Sequence, residues 1–210
     1  MITDERKNKI IEVYKKRQKN LAVVLENVHD PHNVSAVLRT CDAVGVDKIY
    51  LVYPDNNFPE LSEMSSASAS KWVNTEKFTK ITECYKALKS NGFTIYSTSL
   101  PNPLKPNPLT PISLFDLDLT KPTAIVFGNE HAGLTKEALE GADGNLLIPM
   151  VGMVQSLNIS VSVAVCLYEA MRQRIAGGGY DKSQYSSKEI DEQIEKVAWE
   201  KINKKRKYRN

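Results

Sequence analysis

Two features that would direct this 210-residue chain to a membrane or to an oxidising compartment are missing from it. No stretch reaches the roughly 20 consecutive apolar residues of a membrane helix. The first twenty residues are rich in lysine, arginine and glutamate and contain no apolar signal segment. The cysteines, Cys41, Cys84 and Cys166, lie far apart, which favours buried thiols over a disulfide framework or a CxxC-type metal site. We therefore expect a cytoplasmic protein with no membrane segment and no metal.

The glycine patterns of the common nucleotide-binding loops are missing as well. No GxGxxG follows a predicted strand, and no GxxxxGK[ST] phosphate loop occurs anywhere in the chain. A nucleotide-binding oxidoreductase of the Rossmann type would also need an acidic residue for the ribose at a fixed distance, and none stands there. The sequence therefore argues against this class of enzyme.

Positive charge is unevenly distributed, although the net charge is only +3. Residues 1–20 contain seven lysines and arginines against three acidic residues, and residues 171–210 contain eleven against six. The segment between them is mildly acidic. Basic ends around an acidic body are typical of proteins whose termini meet a polyanion, although two solvated helical tails would have the same composition.

Apolar runs of strand length alternate with amphipathic stretches along the body of the chain. This alternation predicts an α/β fold with a mainly parallel sheet and helices on both faces. In such sheets ligands bind beyond the carboxyl ends of the strands. The predicted strands are 21–28, 48–53, 93–98, 123–128 and 145–150, and the predicted helices lie near 34–44, 80–90, 135–141 and 157–174.

The two ends and one internal stretch have a different character. Amphipathic helices are predicted at 4–19 and at about 187–202, and GlyGlyGly at 177–179 ends the long helix before the second of them. Residues 99–112 contain five of the ten prolines and are predicted to form an extended surface connection. We expect three parts: an N-terminal basic helix, 1–20; a main domain, 21–176; and a C-terminal basic helical extension, 177–210.

The segment HDPHNVSAVLRTCDAVG, residues 29–45, follows the first predicted strand and begins a helix. On a helical wheel its apolar residues form one stripe, Arg39 points away from that stripe, and Asn33 lies at the helix start beside unpaired N–H groups. Asn33 and Arg39 are therefore candidates for ligand contact. The alternative is that Asn33 only caps the helix and Arg39 only faces solvent.

Two further segments follow predicted strands. FGNEHAGLT, residues 127–135, has Gly128 and Gly133 for tight turns and Glu130 as a possible ligand carboxylate, although a simple turn capped by Thr135 has the same pattern. Residues 148–174 run from a strand end through a glycine-containing loop into a long helix, and their polar side chains are candidates either for ligand contact or for capping and packing.

Together, PHNVSAVLRTCDAVGV, SSASASKWV (65–73), GNEHAGLT and IPMVGMVQSLNISVSVAV resemble, in order and wording, the ribose 2′-O branch of the SPOUT superfamily of RNA methyltransferases. The resemblance runs from about residue 4 to 180. It is strongest to the SpoU-type enzymes that methylate the guanosine at position 18 of the D-loop of transfer RNA. It implies S-adenosylmethionine as methyl donor, S-adenosylhomocysteine as product and no metal.

The resemblance also implies a C-terminal deep trefoil knot that forms the cofactor site, and a homodimer with the active site at the subunit interface. By motif position, Asn33 and Arg39 would be catalytic. His32, Arg172 and Arg174 would contact RNA, and the charge of the tail adds Lys204, Lys205 and Arg206. The cofactor would be bound by Thr98, Ser99, Gly128, Glu130, Ile148, Met150, Ser156, Leu157 and Asn158.

Some questions stay open from the sequence. Ser68 replaces a glycine that relatives usually have in the small-residue run, and the tail after Gly179 is short and rich in lysine. Ribosomal RNA is an alternative substrate, because sister branches share the motifs. A catalytically silent RNA-binding protein of the same fold is another. Because a guanidinium holds its proton strongly, we expect Arg39 to stabilise developing negative charge and not to act as a base.

Overall fold

The computed structural model describes residues 2–59, 69–100 and 107–207, and their side chains as far as Trp199. Within these residues the strands form one sheet in the order β3-β2-β1-β6-β4-β7-β5, and every neighbouring pair is parallel. The strands are β1 Gln18–Glu26, β2 Val46–Val52, β3 Asn74–Phe78, β4 Thr94–Ser97, β5 Pro111–Ser113, β6 Thr123–Phe127 and β7 Gly144–Leu147. The helices are α1 Asp4–Lys15, α2 Pro31–Val44, α3 Ile81–Ser90, α4 Lys136–Gly141, α5 Ile159–Ala176 and α6 Ser187–Lys207.

Strand β1 shows why helices cover both faces of the sheet. It lies between β2 and β6, and its side chains alternate between the faces, as the period of two in a strand requires. Leu21, Val23 and Leu25 join the core beneath α2 and α5, whereas Ala22 and Val24 join the core beneath α3 and α4. The predicted parallel α/β fold is confirmed. No helix in the described part of the chain has the length and apolar character to cross a bilayer.

Each predicted strand and helix is present, but two strands were not predicted. β3 alternates between partly buried and exposed positions at one edge of the sheet, so it has no apolar run. β5 forms the other edge and begins at the end of the proline-rich stretch 99–112, which was predicted as a connection. Pro111 is tolerated because it begins an edge strand. Residues 101–106 of that stretch lie outside the described residues.

The N-terminal helix is shorter than predicted. α1 ends at Lys15 and not at residue 19, because the chain that follows enters the core. The guanidinium of Arg17 is fully buried and donates to the carbonyl of Val46 and to the carboxylate of Asp42. One of the positive charges counted in the basic N-terminus is therefore paired inside the protein.

The two basic ends of the chain pack against each other. Ile10 and Tyr14 of α1 form a small core with Ile190 and Ile194 of α6 and with Tyr185, which lies just before that helix. The rings of Tyr14 and Tyr185 meet edge to face, 5.3 Å apart. Because both helices belong to one cluster, the two ends of the chain lie on one part of the surface.

The structure corrects the role that the sequence predicted for Arg174. It was expected to contact RNA, but only 2% of it is exposed. Its guanidinium donates to the carbonyls of Leu119 and Lys121, at 2.9 and 2.8 Å, and to the side chain of Gln18, at 3.0 Å. Burial lowers its pKa. With its donors used internally, Arg174 joins the end of α5 to the beginning of β1 and is not available to RNA.

We expect Arg174→Ala to destabilise the protein by roughly 2–4 kcal/mol, because buried acceptors lose their donors. Arg172→Ala is the matched control: Arg172 is exposed and pairs with Glu169 three residues earlier, so its loss should change the unfolding free energy by about 0.5 kcal/mol or less. Urea unfolding of both variants measures the difference. Equal midpoints for the two variants would contradict the structural role of Arg174.

Candidate active site

A cavity of about 770 Å³ opens at the carboxyl ends of β4, β6 and β7. Its wall consists of the loops that follow these strands and the beginning of α5. Each residue that the sequence predicted for cofactor binding lies on this wall. These residues are Thr98, Ser99, Gly128, Glu130, Ile148, Met150, Ser156, Leu157 and Asn158.

The loop after β6 turns tightly at residues 128–133. Asn129 and Gly133 exchange backbone hydrogen bonds of 3.2 and 2.9 Å, and Gly133 has a φ of 68°, which favours glycine. A Cβ on Gly128 would lie only 2.4 Å from the carbonyl carbon of Gly133. Gly128 therefore allows the two sides of the loop to meet beside the cavity. Thr135 caps α4, so the helix cap in the alternative interpretation of residues 127–135 is also present.

Glu26 is a functional candidate that sequence reasoning missed. It ends β1, it is only 2% exposed, and its carboxylate accepts from the backbone N–H and the hydroxyl of Thr135 at 2.9 and 2.7 Å. It therefore fixes the far end of the loop after β6. The signal in the sequence was an acidic residue inside the apolar run LAVVLENV, since such residues are buried only with partners.

Asn145 was also missed. It is buried in β7, where its side chain accepts from the N–H of Ser99 and donates to the carbonyl of Ser99, both at 3.0 Å. The hydroxyl of Thr98 donates to the carbonyl of Val126 at 2.8 Å. These bonds fix the two residues after β4 at the edge of the cavity, and an asparagine at the start of an apolar run was the signal.

The side chain of Asn33 joins two walls of the cavity. Its amide nitrogen donates to Glu130 Oε1 at 2.8 Å, and its amide oxygen accepts from Asn158 Nδ2 at 3.1 Å. The oxygen of Asn158 in turn caps α5 by accepting from the N–H of Ser160 at 2.8 Å. Asn33 is not the cap of α2, because Asp30 has that role. The structure thus brings Asn33, Glu130 and Asn158 together, as the sequence motifs suggested.

Arg39 lies apart from this group within one chain. It is exposed on α2, as the helical wheel predicted, and it is not on the wall of the cavity. Among the described residues Arg39 has no hydrogen bond or ion pair, so Asn33 does not hold it. Its guanidinium is therefore available to a group outside this chain.

The residues expected to contact RNA are divided between surface and interior. His32 is exposed at the start of α2, and Arg172 is exposed near the end of α5, where its fork donates to Glu169 at 2.9 and 2.8 Å. Arg174 is buried, as described above. Lys204, Lys205 and Arg206 lie in α6, but their side chains are outside the described residues, as is Ser68 of the small-residue run.

The three cysteines have no part in this site. Cys41, Cys84 and Cys166 are free and buried, as predicted. Burial raises the pKa of Cys84 and of Cys166 to about 12 and raises that of Cys41 further, so none provides a thiolate near neutral pH. Among the described residues no group of histidine, cysteine and carboxylate side chains is arranged to hold a metal.

The chemistry of the cavity suits a heterocycle joined to a cation. Leucine and isoleucine side chains of the three loops and of β7 provide apolar surface, and backbone groups and hydroxyls provide hydrogen bonds. Glu130 is the one carboxylate on the described wall. A planar ring on the apolar surface and a positive charge near Glu130 would therefore both be accommodated.

Comparisons with known proteins agree with this geometry. The model of the SpoU rRNA Methylase family matches residues 20–168. A tRNA (guanosine(18)-2′-O)-methyltransferase of Thermus thermophilus is 47% identical over 180 residues, which cover 86% of this chain and 89% of that protein. The crystal structure of the A. aeolicus TrmH/SpoU tRNA modifying enzyme superposes with a TM-score of 0.85 at 38% identity, covering 95% of this chain and 98% of that one. The SpoU methyltransferase AviRb from Streptomyces viridochromogenes, in complex with the cofactor AdoMet, has a TM-score of 0.66 at 26% identity, over 77% of this chain and 63% of that one.

We expect Gly128→Ala to destabilise the chain by about 1–3 kcal/mol, because the added methyl group overlaps the backbone of Gly133 and Leu134. Gly152→Ala is the control in the same region of the site, since a Cβ there meets nothing within 4 Å. It should leave stability unchanged or raise it by a few tenths of a kcal/mol through the unfolded state. Thermal unfolding distinguishes the two variants, and an unaltered midpoint for Gly128→Ala would show that the turn is not crowded.

Proposed function

Since this chain belongs to the SpoU rRNA methylase family, we propose that it transfers a methyl group from S-adenosylmethionine to a ribose 2′-hydroxyl of transfer RNA. The similarity to guanosine(18) enzymes favours the guanosine at position 18 of the D-loop. The observation that carries the proposal is that the loops after β4, β6 and β7 form one wall around the cavity, with Asn33 joined to it. The parallel sheet agrees with the trefoil knot that the sequence resemblance implies.

The residues of the cavity fit S-adenosylmethionine. The cofactor supplies a methyl group on a positively charged sulfonium. The apolar residues Ile148 and Leu157 can hold its adenine ring, and the hydroxyl groups of Thr98 and Ser99 can bind polar parts of the molecule. Glu130 would provide a negative charge for the sulfonium. Gly128 allows the two sides of the loop to meet beside this space.

Arg39 is the group that we propose to act on the ribose hydroxyl. When the 2′-oxygen bonds to the methyl carbon, the bond from that carbon to sulfur would break and S-adenosylhomocysteine would leave. The oxygen would lose its proton in this step, and negative charge would develop on it. A guanidinium stays charged in ordinary sites, so Arg39 would stabilise this oxygen and a neighbouring phosphate, and a phosphate oxygen or water would accept the proton. The role of Asn33 is to hold Glu130 and Asn158 in position beside the donor.

A second copy of the chain would bring Arg39 to the cavity. Arg39 is not on the wall of its own cavity, and apolar side chains around the cavity mouth and on α5 are open to solvent. Val151 and Met153 are almost fully exposed, and Val161 and Tyr168 are about half exposed on one helix. Covering this apolar surface would favour a two-fold dimer, in which each site combines a cavity with Arg39 of the partner subunit.

Mixed dimers test this arrangement. Neither Arg39→Ala nor Gly128→Ala alone should methylate RNA, but a refolded equal mixture should recover about a quarter of wild-type activity, since half of the dimers are mixed and each contains one complete site. Recovery requires Arg39 to act across the interface. An inactive mixture that still sediments as a dimer would place Arg39 and the cavity of one chain in the same site.

The RNA itself would be bound by the basic ends of the chain. Residues 201–210 contain six cations and no acidic residue, and α6 packs on α1, whose cations lie nearby. Removing residues 201–210 should reduce the slope of log K against log salt for transfer RNA by as much as 4 to 5. Lys86→Gln, on the exposed face of α3, is the control and should change the slope by about 1 or less. An unchanged slope after truncation would exclude the tail from RNA binding.

Mapping of ribose methylation tests the function directly. Purified protein with labelled S-adenosylmethionine should methylate unmodified transfer RNA at one ribose in the D-loop, at guanosine 18. Ribosomal RNA is the alternative substrate, because the family includes enzymes named for it. Methylation of ribosomal RNA alone would select that alternative, and no methylation of either would favour a silent RNA-binding protein.

A further inference from the structure

A second cavity, of about 250 Å³, lies on the other side of the loop that follows β6. Residues 129 and 132–134 face both cavities, so this loop is the wall between them. The opposite side of the second cavity consists of Asn27 and His29 after β1 and Asp55 after β2. It therefore opens at the same edge of the sheet as the cofactor cavity, where ligands of parallel sheets bind.

The backbone around this second cavity is fixed on three sides. Asn27 has a φ of 55°, its N–H donates to the carbonyl of Val52 at 3.0 Å, and its carbonyl accepts from the side chain of Asn129 at 2.9 Å. The buried Tyr53 donates its hydroxyl to the carbonyl of Val28. Burial and the nearby carboxylate of Glu130 raise the pKa of Tyr53, so this hydroxyl remains a donor. His29 and Asp55 thus extend from a rigid frame.

Three of the side chains that face this cavity have no polar partner among the described residues. In the part of the chain that the structure describes, no hydrogen bond or ion pair engages the side chains of Asn27, His29 or Asp55. The ring of His29 meets Tyr53 edge to face at 6.0 Å, which restricts its orientation. A carboxylate acceptor, an exposed imidazole and an amide therefore converge on a space beside the methyl-donor cavity.

We propose that this cavity binds the base of the target nucleotide and selects guanine through Asp55. This inference rests on the proposed function. A carboxylate can accept from both the N1–H and the 2-amino group of guanine, a charge-assisted pair of hydrogen bonds. His29 offers a ring on which the base can stack, as aromatic side chains do for unpaired RNA bases. A base here would lie against the loop after β6, whose other side faces the donor cavity.

The same geometry disfavours the other purine. Adenine has a lone pair at N1 and no 2-amino group, so its edge would direct an acceptor at the carboxylate of Asp55. A carboxylate that pairs with two donors disfavours an analogue that lacks them, because an acceptor then faces an acceptor. Asp55 is therefore the specificity-determining residue, and His29 contributes affinity without regard to the 2-amino group.

The test compares transfer RNA carrying guanosine or inosine at the target position, since inosine lacks only the 2-amino group. We expect the wild-type kcat/KM to be about tenfold or more higher with guanosine, the cost of one charged hydrogen bond. Asp55→Asn should reduce this ratio at least fivefold by lowering the rate on guanosine. His29→Ala should lower both rates and leave the ratio unchanged. Asp116→Asn, an exposed carboxylate outside both cavities, is the matched control and should behave as wild type.

Binding of S-adenosylhomocysteine, measured by calorimetry, should be equal in all four proteins, because Asp55 and His29 do not contact the donor cavity. A wild-type guanosine to inosine ratio that persists in Asp55→Asn would overturn the proposal, and so would an equal loss on both substrates in that variant. Failure of the wild type to methylate the guanosine transcript would overturn the proposed function, and this inference with it. That result comes from wild-type activity and is distinct from the guanosine to inosine ratio of the variant.

Discussion

The amide side chain of Asn33 links the parts of the candidate site that are far apart in sequence. It donates to Glu130 in the loop after β6 and accepts from Asn158 at the start of α5. Each bond is accessible to solvent and adds little to stability, but together they fix the distance between two walls of one cavity. The position of Glu130 relative to the start of α5 depends on this constraint. From the interior, Glu26 holds the loop after β6 and Asn145 holds the residues after β4.

Much of the site could be predicted because its residues follow strands. In a parallel sheet the strand ends meet at one edge, so loops after β4, β6 and β7 had to be neighbours once the alternation of elements was recognised. The motif resemblance then selected residues in those loops, and each lies on the cavity wall. Two helix ends could also be predicted from local sequence, since Thr135 caps α4 and the glycines at 177–179 end α5.

The remaining errors in the sequence-based predictions concern residues whose burial or contacts depend on packing between segments that are far apart in sequence. Arg172 and Arg174 look alike at the basic end of α5, but two residues along a helix is about 200°, so they face opposite sides. Arg174 continues the buried stripe of Val163, Leu167 and Ala170 at helical spacing, and that pattern could have identified it. The approach of His29 to Asp55 had no such signal, because it depends on the register between β1 and β2 and on the loops beyond them. The short edge strands β3 and β5 lack apolar runs, and their pairing partners alone define them.

The central claim is that the loops after β4, β6 and β7 together bind a methyl donor. Calorimetric titration with S-adenosylhomocysteine tests it most directly, because binding does not require RNA. The account predicts one bound molecule per wild-type chain and an affinity at least tenfold weaker for Gly128→Ala, whose added methyl group displaces the turn at Gly133. No binding to the wild type, or equal affinity in both proteins, would contradict it.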